Sequence, residues 1–283
     1  MTARDPLPGD DNVSPCRLCG EPARHAFNRV ILERHDTPYW ECSSCGSLQT
    51  SPPHWLEEAY AFRGVHIDVE QASRGVRNWI CLAHYLRAYG VTRERCLDFG
   101  GSSGLLTRLM RDSGFDFYCF DPYEMPRYAD YFSVGELQPN EYSVITAFEV
   151  FEHFPDPRSD LGRVLQLGAD LVVFTTLPYA GQGPDWDYLV PASGQHVFFY
   201  TEKALEQFGR QFGYTLRKTR AFHLYVRDDG AFAQAGHCVV EIPPASAGAL
   251  LGATCWASAA TKQDTQYVRD RFLAEIRSGA GKA

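Results

Sequence analysis

Leu97-Asp98-Phe99-Gly100-Gly101-Ser102-Ser103-Gly104 constrains the fold more than any other stretch of this chain. Arg95 to Phe99 reads as a short strand, the glycines break it, and a helix carrying Leu105, Leu106, Leu109 and Met110 follows until Gly114. A strand that runs through a glycine turn into a helix presents backbone amides at the carboxyl edge of a sheet. Glycine serves there because a Cβ would block close approach and because some turn positions need a positive φ. Phe115 to Phe120 is a second strand ending on Asp121, about twenty residues past the loop, where a carboxylate can accept both hydroxyls of a ribose.

The alternation continues along the chain. Ser143–Phe148 and Leu171–Thr176 read as buried strands, with a helix over Leu161–Leu167 between them. Before the glycine loop, Val76, Trp79, Ile80, Ala83 and Leu86 mark one helical face, and Gly90 stands at the helix end. After it, Thr201 caps a helix carrying Leu205, Phe208 and Phe212, and a long polar and aromatic loop covers Pro178–Tyr200. Strands are expected over Phe222–Val226 and Cys238–Ile242, then a last helix opened by Thr261-x-x-Asp264 and carrying Val268, Phe272 and Ile276. The pattern predicts an α/β fold, a mostly parallel Rossmann-like sheet with helices on both faces.

Two Cys-x-x-Cys-Gly knuckles precede this unit: Cys16-Arg17-Leu18-Cys19-Gly20 and Cys42-Ser43-Ser44-Cys45-Gly46. No export signal precedes the nine cysteines, so a reducing compartment and metal ligation are expected rather than disulfides. Four thiolates can surround one Zn²⁺ and leave it no open position, which makes the expected role structural. His25, His35 and His54 are read as surface residues and Cys81, Cys96, Cys119, Cys238 and Cys255 as small buried hydrophobes. The expected organisation is a disordered tail over 1–14, a zinc ribbon over 15–60, a linking helical segment over 61–90 and the α/β unit over 91–283.

The glycine loop fits acid-x-Gly-x-x-x-Gly better than G-x-G-x-x-G, since Phe99 occupies the place of the first glycine. It resembles motif I of class I S-adenosylmethionine-dependent methyltransferases, with Ser102 where the middle glycine usually stands. Phe148-Glu149-Val150-Phe151-Glu152-His153-Phe154-Pro155-Asp156-Pro157 looks like the E-V-x-E-H-x-x-D-P segment of a large subgroup of the same enzymes. The likeness spans Asn78 to Phe222. It implies that Asp98, Gly100, Gly101, Ser102, Gly104, Asp121, Phe148 and Glu149 bind S-adenosylmethionine, with Asp98 at the methionine end and Asp121 at the ribose. Glu152 and His153 are read either as site residues or as the acid and histidine of an ordinary helix start.

Gln195-His196-Val197-Phe198-Phe199-Tyr200 adds a candidate base, because a base is needed only for an alcohol or carbon acceptor and histidine titrates in the right range. Four N-terminal cysteines and this His context are similar to sugar C-methyltransferases acting on nucleotide-activated deoxyketosugars. In those enzymes a Glu-His pair carries the base, whereas Gln195 stands before His196 here, and the residues after Phe222 are too few for their extra C-terminal domain. The expected catalytic set is His196, His153 and Glu149, acting on a small molecule such as a sugar or natural-product intermediate. Two other readings stand beside it: an RNA or protein methyltransferase that reads its target through the ribbon, and a non-catalytic scaffold. A net charge of −8 speaks against nucleic acid. No apolar run is long enough for a membrane anchor, and a cytoplasmic protein is expected.

Overall fold

The computed structural model describes residues 12–61, 69–233 and, in the C-terminal part, 266, 269–270, 273–274 and 276–278. Two sheets carry it. The first is antiparallel and begins with β1 (Val13–Pro15), β2 (Pro22–Ile31), β3 (His35–Cys42) and β4 (Leu48–Thr50). Then come α1 (Leu56–Ala61), α2 (Gln71–Ala88), β5 (Arg95–Phe99), α3 (Leu105–Asp112), β6 (Asp116–Phe120), β7 (Val144–Phe148), α4 (Pro157–Gln166) and β8 (Leu171–Thr175). The chain finishes its described core with β9 (Phe198–Phe199), α5 (Glu202–Gln211), β10 (Tyr214–Lys218) and β11 (His223–Arg227).

The second sheet has the order β10-β11-β8-β7-β5-β6. β6, β5, β7 and β8 run parallel, while β11 pairs antiparallel to β8 and β10 antiparallel to β11. Strand alternation sorts its side chains into two cores. Cys96, Phe117, Val144, Leu171, Val173, Leu224 and Val226 face α2 and α3. Leu97, Ile145, Ala147, Val172, Phe174 and Tyr225 face α4 and α5. Both faces are buried, which is why these strands are apolar throughout and not alternating. The Rossmann-like class I fold is thus realised, with a C-terminal antiparallel hairpin on its edge.

Several expected elements take a different form. The helix α2 buries Asn78, Cys81, Leu82, Ala83, Tyr85 and Leu86. Its buried face is therefore rotated from the one expected, and Trp79 is half-buried with its indole N–H donating to Ser113 Oγ at 2.7 Å. β10 had no counterpart in the sequence reading. Cys238–Ile242, Cys238, Cys255 and the Thr261–Asp264 helix start lie outside the described residues, whereas Cys81, Cys96 and Cys119 are buried as expected. His35 is not a plain surface residue. It is half-buried, pairs with Glu58 at 3.0 Å and meets the rings of His54 and Trp55, because the β3 start packs on α1.

The cysteine-bearing sheet does not stand apart from the α/β unit. β9, drawn from the loop before α5, pairs with β4 and becomes the fifth strand of the order β1-β2-β3-β4-β9. Cys16, Leu18, Ala23, Cys42 and Cys45 share one apolar core with the α4–α5 face of the large sheet.

Candidate active site

The loop after β5 is shaped by contacts that exclude side chains. A Cβ on Gly101 would lie 2.6 Å from Cys119 Sγ and 2.7 Å from Asp98 Oδ2, and one on Gly104, at φ +76°, 2.8 Å from Pro126 Cβ. Ser102 adopts φ +49° without being glycine, and its hydroxyl donates to Glu124 at 2.6 Å. Left-handed backbone at such a residue costs on the order of 1–2 kcal/mol, which the bond to Glu124 helps offset.

Asp98 lies beneath the loop. Its carboxylate accepts from Thr146 at 2.8 Å and Thr107 at 3.2 Å, and it is 3 % exposed. Burial lifts its pKa to about 7 against the opposing pull of the two threonine hydroxyls. Asp121 accepts three backbone N–H bonds, from Ser102 on one oxygen and from Tyr123 and Glu124 on the other, at 2.8–2.9 Å. It therefore splices the glycine loop to the loop after β6 and leaves its remaining lone pairs toward the cleft. Glu124, adjacent to both, was not picked out from the sequence; its only signal is its place three residues after Asp121.

Asp98, Gly100, Gly101, Ser102, Asp121 and Glu124, but not Gly104, line a cleft of about 2020 Å³ that Phe148, Glu149, His153, Tyr188 and His196 also line. Phe148 ends β7 and stacks on Phe222 at 5.1 Å. Glu149, next in the chain, is forced to φ +54° and donates its N–H to Thr175, the last residue of β8. This turn swings Glu149 and Glu152 toward the same hydroxyl. Tyr188 Oη lies 3.0 Å from Glu149 Oε2 and 2.5 Å from Glu152 Oε1. Glu152 is wholly buried and its Oε2 has no hydrogen-bond partner among the described residues. Burial, reinforced by the Glu149 charge, holds the Glu152 carboxyl well above the usual carboxylate range, so Glu152 keeps its proton.

Two histidines complete the cluster. Their rings meet edge to face at 4.9 Å. Burial, helped by the neighbouring His196, keeps His153 neutral by pushing its pKa well below the ordinary value. Tyr60 Oη lies 3.4 Å from His153 Nδ1. His196 Nδ1 is 2.7 Å from the carbonyl of Tyr188; a carbonyl only accepts, so Nδ1 carries a proton and Nε2 is the basic nitrogen. Glu152, His153 and His196 each bring one ligand atom within 4.8 Å of the others, an arrangement able to pass a proton or hold a cation. Gln195 instead turns its amide to the Ala59 carbonyl at 3.4 Å. The acid near His196 thus comes from the β7 end and not from its chain neighbour. Tyr188 links the whole set, and only its position in the aromatic loop hinted at it.

The four knuckle cysteines converge as their spacing requires. Cys16 and Cys45 Sγ are 3.8 Å apart, Cys19 and Cys42 3.4 Å, and all four lie within 4.8 Å of one another. Tetrahedral sulfurs about 2.3 Å from a zinc ion lie ~3.8 Å apart, so the donor set and its size both fit Zn²⁺. Gly20 at φ +83° and Gly46 at φ +77° close the two turns. A hydrogen bond from Cys16, whose own thiol is pushed up, holds Cys45 down to about 5. No histidine joins this cluster among the described residues.

A family model described as a methyltransferase domain matches residues 71–219. Among solved structures, the chain is similar to a 1,6-didemethyltoxoflavin-N1-methyltransferase of Burkholderia thailandensis bound to its acceptor and S-adenosylhomocysteine. The two are 15% identical at a TM-score of 0.46, over 71% of this chain and 97% of that one. It is also similar to the magnesium protoporphyrin IX methyltransferase of Synechocystis with bound SAH, 12% identical at a TM-score of 0.42, over 56% of this chain and 83% of that one. No curated protein matches the sequence.

Proposed function

We propose, from the premise that this chain belongs to the methyltransferase-domain family and is an S-adenosylmethionine-dependent methyltransferase, that it methylates a small molecule seated between the glycine loop and His196. S-adenosylmethionine supplies an electrophilic methyl group when bound. Gly100, Gly101 and Ser102 would face it, with Asp121 and Glu124 toward its nucleoside and Glu149 and Phe148 along its flank. Asp98 acts from beneath by fixing the loop. The four cysteines would hold one structural Zn²⁺.

The single observation that carries the catalytic reading is the tautomer of His196. With Nδ1–H held by the Tyr188 carbonyl, Nε2 is the nitrogen that carries the lone pair, and neutral His153 and protonated Glu152 beside it add no competing positive charge. His196 Nε2 would take the proton from an acceptor hydroxyl or acidic C–H, leaving that atom as the nucleophile for the methyl group that bound S-adenosylmethionine would supply. Tyr188, bridging Glu149 and Glu152, keeps the His196 loop against the β7 end. A ring with several hydroxyl or keto groups, such as a sugar, suits a cleft rimmed by Tyr60, Tyr188 and polar side chains.

Transfer of labelled methyl from S-adenosylmethionine to a panel of nucleotide-linked deoxysugars, phenols, bulk RNA and cell protein tests this. Label is expected in a small-molecule fraction, and recovery in RNA or protein would sink the acceptor class. His196→Asn should lower turnover by roughly 10²–10⁴-fold while S-adenosylhomocysteine still binds; normal turnover would remove it as the base. Metal analysis should return one zinc per chain.

A further inference from the structure

We infer that Arg17, inside the first cysteine knuckle, is a positioning residue for the two active-site histidines. Its guanidinium donates from Nη1 to the carbonyl of Pro155 at 2.8 Å and from Nη2 to the carbonyl of Val197 at 2.6 Å. Pro155 stands two residues after His153, and Val197 directly follows His196. One planar group therefore ties together the two loops that carry the histidines. Nη2 also reaches the Thr50 carbonyl at 3.1 Å and its hydroxyl at 3.3 Å, and Arg17's own amide donates to Gln49. The fork is thus anchored in β4, the strand on which β9 pairs.

Three features make this more than a packing contact. The planar fork spans two carbonyls on separate loops, a geometry that the single ammonium of lysine does not reproduce. The same His196 loop is held to the cysteine-bearing unit at further points: Leu32 N–H donates to the Pro191 carbonyl at 3.0 Å, Trp55 Nε1 to that of Gly194 at 2.8 Å, and Thr50 N–H to that of Val197 at 3.1 Å. Gly194, at φ +66°, has no room for a Cβ, which would lie 2.9 Å from Ile31 Cγ2. The ribbon therefore grips this loop from its Pro191 end to Val197, where Arg17 shares the carbonyl with Thr50 and alone of the two also reaches the His153 loop. Arg17 itself is fixed by its place between Cys16 and Cys19, so the metal-organised turn sets where the histidines sit.

The inference rests on the cleft being the active site, not on which histidine takes the proton, and its test is independent of that choice. Full-length zinc-loaded protein with ¹⁵N-labelled histidine, bound to S-adenosylhomocysteine, is followed by side-chain NMR at pH 8. Wild type should show His196 as a single Nδ1-protonated tautomer. In Arg17→Lys and Arg17→Ala, with zinc retained, that signature should give way to exchanging tautomers, and His153 should shift with it. Added guanidinium should restore the single tautomer in Arg17→Ala. Wild-type imidazole signals for both histidines in either zinc-replete variant would overturn the inference. Should Arg17→Ala not fold, Arg17→Lys is decisive by the same criterion. Loss of turnover in His196→Asn alongside unchanged signals in Arg17→Lys would leave the proposed function standing and this inference refuted.

Discussion

Two clusters of four functional side chains lie a few residues apart in space and were built by opposite means. Cys16, Cys19, Cys42 and Cys45 come from two short turns, each spelled out by its own five residues. Glu149, Glu152, His153 and His196 come from a strained strand end and a loop more than forty residues later, joined by Tyr188, whose hydroxyl reaches both acids and whose carbonyl accepts from His196, and by the contact of the two imidazole rings. Both crowd groups that repel when ionised. The thiolates can be relieved by a metal ion and then become rigid, whereas the acids are relieved by a proton, which can leave. A cluster neutralised by a metal suits support, and one neutralised by a proton suits chemistry.

Breaking the first cluster should therefore cost stability before anything else. Cys42→Ser, or removal of zinc by a chelator, is expected to lose on the order of 10 kcal/mol from the ribbon, the scale of structural zinc sites. Circular dichroism and thermal melting would report it, and an apo protein that melts with the holo protein would erase the contrast. The second cluster should behave the other way. In His196→Asn the melting temperature should stay close to wild type while turnover falls by 10²-fold or more, about 3 kcal/mol or more in the barrier. A variant that unfolds instead would make His196 part of the frame.

Asp98 separates support from chemistry within the cleft. Its folded pKa, near 7, stands above the value near 3.8 of an unhindered aspartate. Well below pH 3.8 it is protonated in both states and costs nothing. As the pH rises toward 7 the unfolded chain gains charge while the folded carboxyl keeps its proton, so stability falls across that window, by at most about 4 kcal/mol, and levels off above it. Asp98→Asn, whose amide can still bond to Thr107 and Thr146, should flatten this decline. Denaturant melts of both proteins without cofactor from pH 4 to 8 would show it; parallel curves would mean that Asp98 ionises freely in the fold.

What the sequence disclosed follows from the same difference. The glycine loop, its strands and the two knuckles were legible because each is fixed by residues within one turn of one another. β9 was not, since Phe198 and Phe199 look like buried core, and their pairing with Leu48 and Gln49 depends on tertiary packing. Nor was the service of Arg17, whose bond to Val197 spans 180 positions. Gln195 departs from the Glu-His pair of the sugar C-methyltransferases, and the carboxylates near His196 arrive from the β7 end, which a linear pattern does not reveal. Ser102 is the local exception: a left-handed turn predicts glycine, and the bond to Glu124 accounts for the serine.

The smallest expected effect isolates the seam between the two clusters. Asp156 and Thr201 are both N-caps, accepting from Ser159 N–H at 3.2 Å and Ala204 N–H at 3.0 Å. Thr201 has a second hydrogen bond, because its hydroxyl donates to the Cys45 carbonyl at 2.6 Å. Asp156→Ala removes a cap, with a charge that favours Arg17 and opposes Asp160, and should cost about 1 kcal/mol. Thr201→Ala removes the cap and a tether to the second knuckle, so it should cost roughly 1 kcal/mol more. Thr201→Asp keeps a capping acceptor but cannot donate to the carbonyl, and it should recover only the cap. Equal losses in Asp156→Ala and Thr201→Ala, measured by urea melts, would mean that the knuckle draws no support from the Thr201 hydroxyl and leans on α5 only through Lys203, which donates to the Ser44 carbonyl at 2.6 Å. The hold of the ribbon on the His196 loop would then rest on Arg17, Leu32, Trp55, Thr50 and the β4–β9 pairing.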